Sequence, residues 1–185
     1  VSRVWVVAAD DECREVLYLL DRRCAQSSMN VPIEAIHLLK NGREQRFECS
    51  FWAEQAAEIS YSLPQKYLYE PNPAILKAGA FRSFAQHFSL SKLHPNTHLY
   101  TSQQGPVADL PARSFLIEAV CKYDRKSVQV AVPHGQANVA VRNFPDSAEQ
   151  VRQRLSLRDG GDLYLFAVTN LDNKKAVLVC RKALE

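Results

Sequence analysis

The stretch from Ala137 to Val168 constrains the fold more than any other part of the chain, and it reads ANVAVRNFPDSAEQVRQRLSLRDGGDLYLFAV. A strand pattern is followed by a helical segment, a glycine turn and a second, strongly apolar strand. Asp146, with Glu149 three positions later, resembles a capping box and predicts a helix over residues 146–155. The helix carries arginines, yet no catalytic constellation lies nearby. This combination favours a module that holds or presents a substrate over one that transforms it.

The first fifty residues predict a small β-α-β-β unit that ends near Phe51. Arg3–Ala9 is a continuous apolar run rich in β-branched residues, which is typical of a buried strand. Asp10 or Asp11 then caps a predicted helix with apolar residues at helical spacing. Asn41–Gly42 accepts the positive φ values of a two-residue turn and predicts a hairpin between two further strands. The predicted helix face consists of Cys13, Val16, Leu17 and Leu20.

A second unit is predicted beyond a connector, Trp52–Lys66, which includes a short helix at AEQAAEI and a boundary at Pro64. Asn72 followed by Pro73 predicts a helix N-terminus, and Gly79 predicts a break between two helices. Further strands are predicted at THLYTS, RSFLIEAVC, SVQVAVP, DLYLFAV and KAVLVCR, with the last two forming a terminal hairpin. The predicted fold class is therefore α+β, in two units.

No motif in the chain indicates nucleophilic, metal or nucleotide chemistry. His94 and His98 are four residues apart, but Pro95 lies between them and no Glu or Cys completes a zinc set. No serine lies in a GxSxG elbow, and no glycine-rich loop follows the first strand. Asp159 and Asp162 bracket a glycine pair, which is more typical of a turn than of an acid–base pair. We therefore expect no metal site and no catalytic residue in this chain.

The cysteine count and the hydropathy pattern indicate a compartment. The five cysteines are an odd number without a pairing pattern, which favours reduced thiols in a cytosolic protein. No apolar stretch reaches the roughly 18 residues that a membrane span requires. We expect a soluble, cytoplasmic protein without membrane contact. Because Val1 is not preceded by a Met, we also expect the chain to be a piece of a longer protein.

Basic side chains are concentrated towards the end of the chain, although the net charge of +3 neither requires nor excludes a polyanionic partner. Arginine binds phosphate through a planar fork, and aromatic rings stack on unpaired bases. These residue types predict an RNA-binding surface; the alternative is a solvated helix face with its aromatic residues in the core. The predicted phosphate contacts are Arg142, Arg152, Arg154, Arg158, Lys174 and Lys175, and the predicted stacking residues are Tyr69 and Tyr100.

Four blocks of sequence resemble a known family: YLYEPNPAILKAGAF, KLHPNTHLYTS, ANVAVRNFPDSAEQVRQRL and LRDGGDLYLFA. In the same order, they are similar to the C-terminal part of a bacterial class I S-adenosylmethionine-dependent methyltransferase family. In that family a Rossmann-like catalytic domain precedes a small ferredoxin-like domain and a THUMP-like domain. The similarity extends over nearly all of the 185 residues.

The resemblance implies a ferredoxin-like domain in residues 1–61 and a THUMP-like domain in residues 62–185. It implies RNA as a partner, since domains of the THUMP type bind RNA and position it for catalysis. It also implies that the full-length parent uses S-adenosylmethionine and that its N-terminal methyltransferase domain is a second partner. The family's cofactor-binding glycine loop is absent from this chain, so we expect no cofactor here. The alternative function is a protein–protein docking module that supports the methyltransferase domain through apolar surface around Phe81–Phe88.

Overall fold

The computed structural model describes residues 1–23, 30–106 and 109–183. The chain divides into two compact units. The first comprises residues 1–59, 71–90 and 107–112, and the second comprises residues 60–70, 91–106 and 113–185. No single cut in the chain separates them, because segments of the two units alternate along the sequence. Both units combine strands with short helices, so the predicted α+β class is confirmed.

Where the structure describes it, the first unit consists of one four-stranded sheet with three short helices. Its strands are β1 (Arg3–Ala9), β2 (Glu12–Leu19), β3 (Ile33–Leu38) and β4 (Glu44–Cys49), in the order β2-β1-β3-β4. Its helices are α1 (Phe51–Ala56), α2 (Pro73–Ala78) and α3 (Phe81–His87). β1 and β3 are parallel, while β3 and β4 form the predicted antiparallel hairpin. The turn differs from the predicted two-residue turn, because the Gly42 N–H donates to the Leu39 carbonyl oxygen at 2.9 Å and, of Asn41 and Gly42, only Gly42 has a positive φ, 80°.

The segment after β1 is a strand, and the predicted helix over Cys13–Leu20 was wrong. β2 pairs antiparallel with β1, with Val6 opposite Val16. The turn is possible because Asp10 and Asp11 both adopt positive φ, 52° and 61°, which aspartate tolerates better than most residues. The same acids therefore form a hairpin turn instead of a helix cap. The apolar residues of β2 match helical spacing only by coincidence, because tertiary pairing overrides such a local pattern.

Helix α2 begins and ends as predicted. The Asn72 side chain accepts a hydrogen bond from the backbone N–H of Ile75 at 3.1 Å, and Pro73 occupies the first helical position. Gly79 ends the helix at φ 73°, a value that glycine adopts without the strain of a Cβ. The connector helix is also present, although α1 begins at Phe51 with Ser50 as its cap.

The described residues of the second unit form an eight-stranded sheet and two helices. The strands are β5 (Ser60–Tyr61), β6 (Tyr67–Pro71), β7 (Ser91–His94), β8 (Thr97–Ser102), β9 (Ala112–Lys122), β10 (Asn138–Arg142), β11 (Leu163–Thr169) and β12 (Lys175–Lys182). The helices are α4 (Arg125–Ala131) and α5 (Ala148–Leu155). The strand order is β10-β11-β12-β9-β6-β8-β7-β5, and β11 and β12 form the predicted terminal hairpin.

Strands β11 and β12 are buried on both faces. Leu165 and Ala167 pack into a cluster that also contains Val151 and Leu155 of α5. Phe166, on the opposite face of β11, packs into a second cluster with residues of β6, β8 and β9. Burial on both faces explains why the sequences of these two strands are continuous apolar runs.

The segment SVQVAVP forms helix α4, and its prediction as a strand was wrong. Asp124 caps this helix, since its carboxylate accepts a hydrogen bond from the backbone N–H of Ser127 at 2.8 Å. Only Val128 is buried within the helix, whereas Val130 is 82% exposed. The alternation of valine with polar residues suggested a strand, but the cap and the single buried position suit a short helix.

The helix predicted over residues 146–155 is α5, with a shifted cap. Its capping box consists of Ser147 and Gln150, one residue beyond the predicted pair. Asp146 accepts a hydrogen bond from the Tyr123 hydroxyl instead. This hydrogen bond connects the segment just before α5 to the residue that follows β9.

Candidate nucleic-acid interface

Four residues of the second unit, Tyr123, Phe144, Arg154 and Lys175, form an aromatic–cation cluster. Tyr123 follows β9, Phe144 lies between β10 and α5, Arg154 projects from α5 and Lys175 begins β12. The two rings contact each other edge to face, with 4.9 Å between their centroids. The Arg154 guanidinium lies 4.7 Å from the Tyr123 ring centroid. The Lys175 Nζ lies 5.7 Å from the Tyr123 centroid and 5.5 Å from that of Phe144.

The Tyr123 ring is fixed by a hydrogen bond to Asp146. Its hydroxyl donates to Asp146 Oδ2 at 2.7 Å. Burial, followed by this hydrogen bond and the carboxylate charge, raises the pKa of Tyr123 to about 12. The phenol therefore stays neutral at physiological pH, so the charges of the cluster are those of Arg154 and Lys175, and the Asp146 carboxylate contacts the cluster through the Tyr123 hydroxyl.

The two cations of the cluster are exposed and have no carboxylate partner among the described residues. The aromatic faces hold them by cation–π attraction, which does not neutralise their charge. Lys122 and Lys174, which precede Tyr123 and Lys175 in the chain, are also exposed. Lys122 pairs with Ala176, so its side chain lies on the opposite face of the sheet from that of Lys175. The positive charge of the cluster therefore comes from Arg154 and Lys175, which can attract an anion.

Arg152 lies on the same helix as Arg154 but in a different environment. Its Nη2 is 2.7 Å from Glu149 Oε2, and its Nη1 is 2.8 Å from Asp159 Oδ1. The hydrogen bond to Glu149 is the main reason why the pKa of Arg152 is raised, and it also lowers the pKa of Glu149. Two acidic partners offset this arginine's charge, so it is a poor candidate for phosphate binding.

Arg142 is held within the protein by a buried carboxylate. The Glu70 side chain is only 4% exposed and accepts hydrogen bonds from both Arg142 and Arg113. Arg142 Nε donates to Glu70 Oε1 at 2.8 Å, and Arg113 Nε donates to Glu70 Oε2 at 3.1 Å. This Arg113–Glu70–Arg142 triad connects β6, β9 and β10 and stabilises the sheet. Its arginines are only partly exposed, at 46% and 37% for Arg113 and Arg142.

Arg158 and Lys174 are both exposed but lie in different places. Lys174 is in the turn before β12. Arg158 follows α5, and its Nη2 donates to the His134 carbonyl oxygen at 3.2 Å. Arg158 also forms an isolated parallel β-bridge with Gln136, ahead of β10. Arg158 is thus connected to the start of β10, whereas Phe144 of the cluster follows the end of that strand.

The two predicted stacking residues are in the core. Tyr69 is 1% exposed and Tyr100 is fully buried. The Tyr69 hydroxyl donates to the Gln104 carbonyl oxygen at 2.9 Å, and burial raises its pKa to about 12, with a smaller contribution from Tyr67. Because neither ring presents a face to solvent, neither can stack on a base in this structure. Among the predicted residues, the structure brings together Arg154 and Lys175, both of which lie over the Tyr123 ring.

Tyr123 is the functional candidate that the sequence interpretation missed. Its signal was an aromatic residue set among charges, in Lys122-Tyr123-Asp124-Arg125-Lys126. That pattern is weak because it is also typical of an ordinary polar turn. Its proximity to Phe144, 21 residues later in the chain, follows only from the tertiary packing of the second unit.

The described residues contain no group of three or more His, Cys, Asp or Glu side chains that could hold a metal ion. His94 has a structural role: its Nδ1 accepts from the backbone N–H of Asn96 at 3.0 Å, and its Nε2 lies 3.1 Å from Asn173 Oδ1. Across the same described ranges, every helix is too short or too polar to cross a membrane.

Comparison with known families locates two domains in the chain. Residues 67–111 match the model of a ferredoxin-like domain, and residues 112–182 match that of a THUMP domain-like family. The chain carries a ferredoxin-like and a THUMP-like domain. The aromatic–cation cluster lies entirely in the THUMP-like match. The first 66 residues lie outside both matches, so the assignment of residues 1–61 to the ferredoxin-like domain stays a prediction.

A solved structure is similar over nearly the whole chain. It is the crystal structure of a "putative methyltransferase" from Porphyromonas gingivalis W83, with 39% sequence identity and a TM-score of 0.91. The match covers 99% of this chain and 46% of the Porphyromonas chain, so this chain spans about half of that protein's length. No curated protein matches the chain.

Proposed function

We propose that this chain is the substrate-recognition region of an S-adenosylmethionine-dependent RNA methyltransferase and that it binds RNA through the aromatic–cation cluster. The observation that carries the proposal is the position of Arg154 and Lys175 over Tyr123 and Phe144, without a carboxylate partner in the described structure. Its location in a THUMP-like domain supports RNA as the anion.

The cluster suits the phosphate backbone better than the bases. Cations already lie near the faces of Tyr123 and Phe144, so a base would have to displace them before it could stack. The rings instead restrict the motion of the cations, and this lowers the entropy lost when each contacts a phosphate. Backbone contacts of this kind carry little sequence information, so we expect affinity with weak sequence preference.

Methyl transfer would belong to the part of the parent protein outside this chain. The similar Porphyromonas protein is named a "putative methyltransferase", and more than half of its length has no counterpart here. We propose that S-adenosylmethionine binds that other part, that this chain binds no cofactor of its own, and that the whole protein acts in the cytoplasm.

The test is the salt dependence of RNA binding. Each phosphate contact releases counterions and contributes about 0.7 to the slope of log affinity against log salt for single-stranded RNA. Arg154→Gln combined with Lys175→Gln should therefore lower the slope by about 1.4 and weaken binding across RNA sequences. The matched control, Lys40→Gln with Lys77→Gln, removes the same charge from exposed positions of the first unit and should leave the slope unchanged.

Arg152→Gln tests whether a charge on α5 outside the cluster contributes to RNA binding. This arginine is already paired with Glu149 and Asp159, so its loss should leave the salt slope close to that of the wild type. Equal slopes for the wild type and the Arg154/Lys175 double variant would refute the cluster as the RNA site.

A second candidate function is docking to the methyltransferase domain, and one observation favours it. Leu17 and Leu19 of β2 are 46% and 48% exposed, and Leu17 pairs with Trp5 of β1 on the same sheet face. The Phe81–Phe88 segment named for this role offers less surface, since Phe84 is fully buried. Leu17→Asp with Leu19→Asp in the full-length protein should separate the domains in limited proteolysis if this face docks. Unchanged proteolysis would exclude it.

A further inference from the structure

His94 joins the two segments that lead into Phe144 and Lys175 of the aromatic–cation cluster. Its Nδ1 lies 3.2 Å from Asn143 Nδ2, and its Nε2 lies 3.1 Å from Asn173 Oδ1. Asn143 immediately precedes Phe144, and Asn173 lies two residues before Lys175. His94 itself is only 8% exposed, so it offers almost no surface to a ligand. Any influence of His94 on the cluster therefore passes through the two asparagines.

Both asparagines have backbone conformations that their side-chain hydrogen bonds help to maintain. Asn143 and Asn173 adopt positive φ, 50° and 57°, a region that asparagine tolerates but does not prefer. Asn143 Nδ2 also donates to Thr97 Oγ1 at 3.2 Å, and Thr97 Oγ1 donates to the Thr169 carbonyl oxygen at 3.2 Å. The Thr169 hydroxyl donates in turn to the Asn143 carbonyl oxygen. His94 is thus one member of a polar network that holds Asn143 by its side chain and by its backbone.

These hydrogen bonds require a neutral imidazole with its proton on Nε2. The backbone N–H of Asn96 lies 3.0 Å from His94 Nδ1, and a backbone N–H can only donate, so Nδ1 is the acceptor. The proton of the neutral ring is then on Nε2, which donates to Asn173 Oδ1. The Asn143 amide donates to the same Nδ1. Protonation of Nδ1 would direct an N–H at two donors and would break both of these hydrogen bonds.

The surroundings of His94 offer a protonated ring little compensation. The charged and titratable groups on the segments that contact His94 are Lys92, His98, Arg142, Asp172, Lys174 and Lys175. Lys92 Nζ donates to the Pro95 carbonyl oxygen at 2.6 Å, and Arg142 is bound to Glu70. Asp172 is the one carboxylate of this set, and it is exposed. A protonated His94 would therefore lose its acceptor without gaining a buried ion pair.

We propose that neutral His94 is a positioning residue for RNA binding, which it supports by holding Phe144 and Lys175 in place. This inference rests on the proposed function, since it takes the aromatic–cation cluster as the RNA site. Lys175 Nζ lies 5.5 Å from the Phe144 centroid, and a displaced ring would no longer restrict its motion. Loss of the His94 hydrogen bonds should therefore weaken RNA binding about twofold to tenfold. The salt slope should not change, because no phosphate contact is removed.

The first measurement uses NMR and needs no RNA. At about pH 8, where histidine is neutral, long-range ¹H–¹⁵N spectra should show His94 with its proton on Nε2. Nuclear Overhauser contacts between the Tyr123 and Phe144 rings, 4.9 Å apart, should weaken at about pH 5 and in His94→Leu. His94→Gln, whose amide both donates and accepts without titrating, should retain them at both pH values. Ring contacts that stay unchanged at the lower pH and in His94→Leu would overturn the positioning role.

The second measurement is RNA affinity against pH at constant salt. Acidification adds positive charge to exposed histidines such as His134, which by itself strengthens RNA binding. The role of His94 predicts the reverse for the wild type, with binding about twofold to tenfold weaker at about pH 5 than at about pH 8. His94→Gln should abolish this weakening, and the control His134→Gln should retain it. Wild-type affinity that rises on acidification in parallel with that of His94→Gln would overturn the proposal. Absence of RNA binding by the wild type at both pH values would instead refute the RNA function, and the ring contacts would still decide whether His94 positions the cluster.

Discussion

The substitution Glu70→Gln should destabilise the second unit strongly. The Glu70 carboxylate is 4% exposed and accepts hydrogen bonds from both Arg113 and Arg142. The amide keeps the shape but loses the charge, and its NH₂ group presents donors where two guanidinium groups also donate. Removing one partner of a buried ion pair costs about 3–5 kcal/mol. Because Arg113 and Arg142 are 46% and 37% exposed and can regain hydration, we expect the lower end, about 3 kcal/mol.

The assay is urea unfolding monitored by NMR signals of β9 and β10 amides. Tryptophan fluorescence is unsuitable, because both tryptophans, Trp5 and Trp52, lie in the first unit. Glu118→Gln is the matched control. Glu118 and its partner Arg181 are 35% and 51% exposed, so the loss of that pair should cost less than about 1 kcal/mol. If Glu70→Gln costs no more than Glu118→Gln, the triad does not stabilise the sheet.

Three other changes have expected outcomes that follow from the fold. Asn72→Ala removes the side-chain cap of α2 and should lower the free energy of unfolding by about 1 kcal/mol, measured in urea; an unchanged midpoint would contradict the cap. Gly79→Ala forces a Cβ into φ 73° and should lower the free energy of unfolding by about 1 kcal/mol. Ala78→Gly, within the same helix, is the comparison variant, because it measures the entropic cost of a glycine alone. Burial raises the pKa of the Cys180 thiol from 9.0 to about 12, so the unfolded chain releases this proton first and stability should fall between pH 9 and 12. The stability of Cys180→Ala should fall less steeply between pH 9 and 12. If the stability of the variant and that of the wild type fall in parallel, the thiol is not the cause.

The elements that the sequence predicted correctly have their causes close together in the chain. The hairpin at Gly42, the Asn72–Pro73 helix start and the Gly79 stop each depend on one or two residues with restricted or unusual backbone preferences. β11 and β12 were predictable because burial on both faces leaves a continuous apolar run. Neither signal needs knowledge of a distant partner.

The errors arose where the local pattern was compatible with more than one structure. Asp10 and Asp11 suit a helix cap and also suit a turn with positive φ, and only pairing with β1 decided for the strand. The segment of α4 shows the opposite case, since its valines alternate like a strand while Asp124 supplies a helix cap. Short segments of this kind take the structure that their neighbours stabilise.

The sequence by itself determined the class of fold, several helix and strand ends, and the presence of an arginine-rich segment. Only the tertiary structure decided which cations are available to a ligand. Arg142 shares the buried Glu70 carboxylate, 72 residues earlier in the chain, with Arg113, while Arg154 and Lys175 lie over aromatic rings and have no carboxylate partner among the described residues. The physical reason is that a residue type sets the charge and reach of a side chain, but the partner that meets it is brought there by the folding of distant segments.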